Sequence, residues 1–122
     1  MTVVLDASAI LAFVQDERGA DIVEAAMADD PRCGAANWSE VAQKVIAAGR
    51  NWDLVRALLV SYDIEIEPVD ATDAELAARR WARGEGLSLA DRLCLALGDR
   101  LDSNVITADT GWAASDRVTQ IR

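Results

Sequence analysis

The chain has 122 residues, of which 52% are hydrophobic, and a formal charge of −9. This length predicts a single domain over residues 1–122, and no apolar run approaches the roughly 18 residues of a membrane span. The sequence contains no histidine, which excludes histidine-based catalytic triads and the usual zinc sites. Hydrolytic chemistry in this chain would therefore depend on carboxylates.

Charge, cysteine spacing and the first residues predict a reduced, cytoplasmic protein. Cys33 and Cys94 lie far apart with no metal-site spacing, so both are expected to be buried free thiols. The opening Met1-Thr2-Val3 lacks the basic residues of a secretory signal. The acidic net charge argues against nucleic-acid binding over the whole surface, so an RNA contact would need a bound cation and local arginines.

Strands and helices alternate along the chain, which favours a mostly parallel α/β sheet with helices on both faces. Capping-box patterns predict helix starts at Asn37, Thr72 and Ser88. Leu54, Val55, Leu58 and Leu59 are predicted to face the core. The predicted elements are a strand over 2–5, helices to 14 and over 20–28, a weak strand over 33–36, helices over 37–49 and 51–61, a strand over 64–69, helices over 72–83 and 88–101, and strands over 104–107 and 118–121.

Four carboxylates lie where a predicted strand ends or a predicted helix begins: Asp6, Glu40, Asp91 and Asp109. Each alone has a simpler explanation as a helix-capping or turn residue. In a right-handed parallel α/β fold, however, the junctions that follow strands share one edge of the sheet. Carboxylates gathered there would repel one another unless a cation neutralised them, and an oxygen-only set suits Mg²⁺ or Mn²⁺. Phosphodiester hydrolysis by an activated water is the predicted chemistry.

The four acids also stand in recognisable short motifs. These motifs are Val4-Leu5-Asp6-Ala7-Ser8-Ala9, Ser39-Glu40-Val41, Leu89-Ala90-Asp91 and Thr107-Ala108-Asp109. In order and separation they resemble the acidic motifs of PIN-domain nucleases, and the size of the chain resembles the VapC-type toxins of toxin–antitoxin pairs. The resemblance implies a Rossmann-like fold with strand order 3-2-1-4-5, Mg²⁺- or Mn²⁺-dependent endoribonuclease activity, a cognate antitoxin and a homodimer.

The resemblance also implies roles for individual residues. The implied catalytic acids are Asp6, Glu40, Asp91 and Asp109, of which Asp6, Asp91 and Asp109 hold the metal, and Ser8 and Thr107 match hydroxyl positions that line such sites. Arg92 is a candidate substrate contact because it directly follows Asp91. Asp116 is predicted to be a solvated loop residue, with a place near the acidic edge as the alternative.

Three arginines are predicted on one helix, at Arg79, Arg80 and Arg83. They are interpreted as a solvated face paired with Glu75 or Asp73, and a ridge that contacts phosphates is the alternative. Among the tryptophans, Trp38, Trp52 and Trp81 are interpreted as core or dimer-interface anchors, and Trp112 as packing against the last strand.

Other functions that use acids at strand ends fit less well. A receiver-like phosphoacceptor domain needs a lysine after a late strand, whereas the only lysine, Lys44, lies in an early helix. A phosphatase of the haloacid dehalogenase type needs a second aspartate where Ser8 stands. A catalytically silent PIN-like module that binds proteins remains an alternative.

Overall fold

The computed structural model describes residues 1–113 and 115–122. Strands and helices alternate along it, as predicted. The elements are β1 (Thr2–Leu5), α1 (Ala7–Val14), α2 (Ala20–Met27), β2 (Asp30–Gly34), α3 (Ala35–Ala47), α4 (Trp52–Ser61), β3 (Glu65–Glu67), α5 (Ala71–Arg79), α6 (Leu89–Arg100), β4 (Asn104–Thr107) and β5 (Val118–Gln120).

The five strands form one sheet in the order β3-β2-β1-β4-β5. Each neighbouring pair is parallel, so the carboxyl ends of all five strands share one edge. This confirms the predicted α/β class and strand order. β1 and β4 are adjacent at the centre, with Leu5 beside Ile106. The segments that follow these two strands, which carry Asp6 and Asp109, therefore leave the sheet side by side.

Helices cover both faces of the sheet, because successive side chains of a strand point to opposite sides. Val3 and Leu5 belong to one core cluster with residues of α1 to α4, whereas Val4 belongs to a second cluster with α6. Gly98 lets α6 approach β4 closely, since a Cβ there would lie 2.5 Å from Val105 Cγ2. A residue with a side chain at this position would push α6 away from β4.

The prediction for the second strand and the helix after it was wrong in position. The strand spans Asp30–Gly34, and α3 begins at Ala35 with Gly34 as its N-cap. Asn37 therefore lies inside the helix, and Glu40 lies beyond its first turn. Its charged residues and its proline are untypical of a buried strand, so the sequence pattern did not indicate one. In the structure, Arg32 is neutralised by ion pairs to an acid on its own strand and an acid on the next strand.

Three further element predictions need correction. The N-cap of α5 is Asp70 rather than Thr72, and the helix ends at Arg79 rather than Arg83. Asp70 and Asp73 form a capping box at the start of α5. Leu54 is 70% exposed, so the core-facing side of α4 is narrower than predicted. β3 has only three residues, because pairing with β2 stops before Pro68.

Several smaller predictions are confirmed. Cys33 and Cys94 are buried and free. Trp112 is buried beside Val118 of the last strand, whereas Trp81 is 57% exposed and so is no core residue. Within residues 1–113 and 115–122, the helices are all too short or too polar to cross a membrane.

Candidate active site

Asp6 lies at the carboxyl end of β1 and is the N-cap of α1. Its side chain accepts a hydrogen bond of 2.8 Å from the backbone N–H of Ala9, which satisfies one of the free donors of the first helical turn. The residue is only 3% exposed. The capping explanation is therefore correct for Asp6, but it accounts for only part of what surrounds this carboxylate.

Two hydroxyl groups also hold the Asp6 carboxylate. Thr107, the last residue of β4, donates a hydrogen bond of 2.6 Å to Oδ2, and Ser8 donates to Oδ1 at 2.8 Å. The Ser8 oxygen in turn accepts from the backbone N–H of Ala108 at 2.9 Å. These bonds join the ends of β1 and β4 and fix the carboxylate in one orientation. The two hydroxyls predicted to line the site thus contact Asp6 directly.

Burial raises the pKa of Asp6 to about 6, because the charged carboxylate is separated from water. The hydrogen bonds from Thr107, Ala9 and Ser8 act in the opposite direction, and the charge of Asp91 raises the value further. Burial outweighs the three donors. A cation at this place would relieve both the burial penalty and the repulsion between the two carboxylates.

Asp91 is placed by a capping box at the start of α6. Its backbone N–H donates to the Ser88 hydroxyl at 3.1 Å, and its Oδ2 accepts from the Ser88 N–H at 3.0 Å. This confirms the predicted start of α6. The box holds the Asp91 side chain at the helix end, where its charge acts on Asp6.

Glu40 lies on α3 and is half-buried. Burial raises the pKa of its carboxyl, the charge of Asp91 raises it further, and the nearby Lys44 lowers it. Asp91 therefore influences the carboxyls of both Asp6 and Glu40. Its charge thus relates these three acids to one another, without a contact between their carboxylates being required.

Asp109 follows β4 but its carboxylate is turned into the next loop. Its Oδ1 accepts a hydrogen bond of 2.8 Å from the N–H of Gly111, and the residue is exposed. Its own N–H donates to the Thr107 hydroxyl at 3.0 Å, which ties its backbone to the Asp6 cluster. Asp116 lies in the exposed loop before β5.

Arg92 contacts the protein rather than open solvent. Its guanidinium Nη1 donates to the carbonyl of Ala77 at 2.8 Å, which links the first turns of α6 to the end of α5. Its Nε is buried without a partner among the described residues. In this arrangement Arg92 holds two helices together, beside its predicted role as a substrate contact.

Asn37 belongs to this neighbourhood, although the sequence reading assigned it to a helix cap. It is 2% exposed, and its Nδ2 donates a long hydrogen bond of 3.4 Å to the carbonyl of Ala90, next to Asp91. Its Oδ1 has no partner among residues 1–113 and 115–122. The sequence pattern placed Asn37 at the N-cap rather than inside α3. The actual N-cap, Gly34, has no capping side chain that would have indicated the earlier start of the helix.

The donor set near Asp6 consists of carboxylate and hydroxyl oxygens. Burial raises the pKa of the Cys33 and Cys94 thiols, so both stay protonated and unsuited to binding a metal. No three histidine, cysteine or acidic side chains in the described part of the chain are arranged as a ready-made metal cage. Mg²⁺ needs no such cage, because it is commonly held by one or two carboxylates and keeps several waters. Asp6 and Asp91 fit that requirement.

Comparison with known proteins gives a consistent family assignment. Residues 3–118 match the family model of the PIN domain. The chain is 36% identical over 105 residues to a VapC ribonuclease of Mycobacterium bovis, covering 77% of this chain and 80% of that protein. It is 34% identical over 106 residues to a ribonuclease VapC of Mycolicibacterium smegmatis, covering 77% and 81%.

Solved structures share the fold at lower sequence identity. A chain from a toxin–antitoxin complex of Klebsiella pneumoniae superposes with a TM-score of 0.80 at 20% identity, with 98% of each chain covered. VapC20 of Mycobacterium tuberculosis, a toxin that cleaves the sarcin–ricin loop, gives a TM-score of 0.71 at 19% identity, with 88% and 90% covered. The family model, the relatives and the fold agree, and the chain belongs to the PIN-domain family and, within it, to the VapC ribonucleases.

Proposed function

We propose that this ribonuclease is a Mg²⁺- or Mn²⁺-dependent endonuclease and the toxin of a toxin–antitoxin pair. Asp6 and Asp91 hold the cation, Asp109 is a further ligand, and Glu40 completes the acidic set. The observation that carries this proposal is the Asp6 carboxylate, which is buried, oriented by two hydroxyls and raised in pKa. An acid held in this way at the edge of the sheet binds a hard cation strongly.

In this proposal, some residues bind the cation and others orient the carboxylates that bind it. Thr107 and Ser8 keep the Asp6 oxygens in a fixed direction, and the Ser88 capping box does the same for Asp91. A bound divalent cation lowers the pKa of water and stabilises negative charge on a phosphoryl oxygen. Glu40, whose pKa is raised, would accept the proton that the attacking water loses. Asp109 would have to release the N–H of Gly111 to act as a further ligand.

The partners of the protein follow from the same proposal. RNA is the substrate, and a cognate antitoxin binds the folded chain, as in the toxin–antitoxin complex of Klebsiella pneumoniae that shares the fold. A homodimer is the expected assembly. Induced synthesis of this chain in bacteria should arrest growth, and Asp91→Asn should relieve the arrest at an equal protein level.

The direct test is cleavage of a mixed pool of structured RNAs by the purified protein with Mn²⁺. We expect cleavage that EDTA abolishes and that Asp91→Asn reduces by at least a hundredfold, since loss of a group that stabilises transition-state charge typically has this effect. The matched control is Asp21→Asn, because Asp21 is also an acid in the first turn of a helix but lies on α2. Cleavage that persists in EDTA or in Asp91→Asn would overturn the proposal.

Metal binding is measured separately by thermal unfolding with and without Mn²⁺. We expect Mn²⁺ to raise the melting temperature of the unmodified protein and of Asp21→Asn, and to have a much smaller effect on Asp6→Asn or Asp91→Asn. An equal increase in all four proteins would place the cation elsewhere.

A further inference from the structure

A short basic segment lies between α5 and α6 on an otherwise acidic protein. It spans Arg79–Arg83 and contains three of the chain's 12 lysine and arginine residues, whereas the formal net charge is −9. Trp81 is 57% exposed, and the guanidinium carbon of Arg83 lies 5.9 Å from the centroid of its ring. The exposed indole thus gives the basic segment an aromatic surface as well as positive charge.

The segment leads from α5 along α6: Arg80 pairs with Asp99 in the last turn of α6, and the chain then continues to the first turn, which carries Asp91. α5 and α6 run in opposite directions, because Asp73 near the start of α5 pairs with Arg100 at the end of α6. Conversely, Ala77 near the end of α5 accepts a hydrogen bond from Arg92 in the first turn of α6. The chain that leaves α5 therefore passes the start of α6 before it enters that helix.

The same loop also faces the segment that follows β4. Arg80 and Leu87 line an open cavity of about 180 Å³ together with Trp112, three residues after Asp109. The basic segment thus lies along α6, between Asp99 in its last turn and the loop after β4 that contains Trp112.

The charges of the segment are largely available to a ligand. Arg80 pairs with Asp99 at 2.6 Å and so is already neutralised. Arg79 and Arg83 are exposed, and neither forms an ion pair with the described residues 1–113 and 115–122. Two guanidinium groups without a carboxylate partner among the described residues, one of them over the Trp81 ring, and an exposed indole therefore lie within five consecutive residues.

We propose that the Arg79–Arg83 segment binds the RNA strand beside the acidic site, which rests on the proposed ribonuclease function. Arg79 and Arg83 contact phosphates, and Trp81 stacks on an unpaired base. An acidic domain repels RNA, so a local basic and aromatic segment next to the scissile position supplies the missing attraction. Bases stack on exposed aromatic side chains in single-stranded complexes.

The test measures binding of a fluorescent single-stranded RNA to the full-length protein in EDTA, where the proposed cleavage does not proceed. Trp81→Ala should weaken binding roughly 5- to 150-fold, which corresponds to the loss of one base stack. The double variant Arg79→Gln/Arg83→Gln should reduce the slope of log K against log salt by about 1.4, since each phosphate contact on a single strand contributes about 0.7. Arg56→Gln, an exposed arginine on α4, is the matched control and should bind as the unmodified protein does.

The outcomes separate this proposal from the proposed function. If the unmodified protein cleaves RNA but the segment variants bind RNA and respond to salt as Arg56→Gln does, the segment proposal is wrong and the ribonuclease proposal stands. If the segment variants keep RNA binding but lose binding to an antitoxin, the segment is a protein-binding surface and the proposal is again wrong. Equal melting temperatures of all variants exclude unfolding as the cause of a loss.

Discussion

In the absence of a cation, the Asp6 carboxylate stabilises the fold as a helix cap and destabilises it as a buried charge. Its carboxylate caps α1, yet its burial raises the pKa to about 6 from a reference value of 3.8. A raised pKa in the folded state means that the folded protein prefers the protonated acid. The stability gained from this preference is complete below pH 3.8 and is lost as the pH rises through about 6.

Asp6→Asn should therefore stabilise the metal-free protein at pH 7.5, because the neutral amide keeps an acceptor for Ala9 without a buried charge. The shift in pKa corresponds to an increase of at most about 3 kcal/mol in the free energy of unfolding. The gain should shrink as the pH falls from 6 to 4. Urea unfolding in EDTA at pH 7.5 and at pH 4 measures this difference in the free energy of unfolding.

Asp29→Asn provides the control for this measurement, since Asp29 is an exposed aspartate between α2 and β2. It should change the free energy of unfolding by less than about 0.5 kcal/mol at either pH. A less stable Asp6→Asn protein at pH 7.5 would show that capping by the carboxylate outweighs its burial. Stability lost at a functional acid is a common trade-off in enzymes.

For individual residues, the sequence indicated the candidate site residues better than it indicated the hydrogen bonds that orient them. Asp6, Glu40, Asp91 and Asp109 were predicted to gather at one edge. The charge of Asp91 acts on the carboxyls of Asp6 and Glu40, whereas the Asp109 carboxylate is turned to the N–H of Gly111. The bond between Thr107 and Asp6 was not predictable from local pattern, because it joins residues 101 positions apart. Asn37 was misread because its helix begins at Gly34, which has no capping side chain.

Among the helices, α6 depends on its first turn for both stability and site geometry. Ser88→Ala removes the hydroxyl that accepts from the N–H of Asp91, and should lower the free energy of unfolding by about 1 kcal/mol. Because the same capping box orients the Asp91 carboxylate, RNA cleavage should also fall, by about tenfold or more. Ser88→Thr keeps a capping hydroxyl and should recover most of both losses.

Asn51 allows the two effects to be separated, because it caps α4, which carries none of the predicted site residues. Its side chain accepts from the N–H of Leu54 at 3.3 Å. Asn51→Ala should lower stability to a similar extent and leave cleavage unchanged at a temperature where the protein is folded. If both alanine variants lost cleavage equally, the effect of Ser88 would be one of stability alone.

Elements were predicted best where one physical signal dominated. β1 and β4 were placed correctly because each is a short run of buried β-branched residues, and α6 because its capping box is formed by its own side chains. β2 was misplaced because its polar residues are satisfied by other strands, as when Arg32 pairs with Glu67. That partner lies 35 positions away and leaves no local signal.

The whole molecule should unfold in a single transition. β1 contributes Val3 and Leu5 to one core cluster and Val4 to the other, so neither cluster can be lost while the sheet remains intact. Urea unfolding followed by tryptophan fluorescence and by far-ultraviolet circular dichroism should give coincident curves, with a slope of about 1–3 kcal/mol per M. Separate midpoints would contradict the prediction that residues 1–122 form one domain.

The central position of β1 also determines when the protein becomes active during its own synthesis. β1 is made before β4, with which it pairs on one side, and Asp6 receives its hydrogen bond from Thr107 of β4. Contacts between such distant residues form late in folding. A ribosome that is still making the first hundred residues therefore carries a chain with three of the four acids but without the strand that orients Asp6. The enzyme that cuts RNA is therefore assembled only after β4 has been made and has paired with β1.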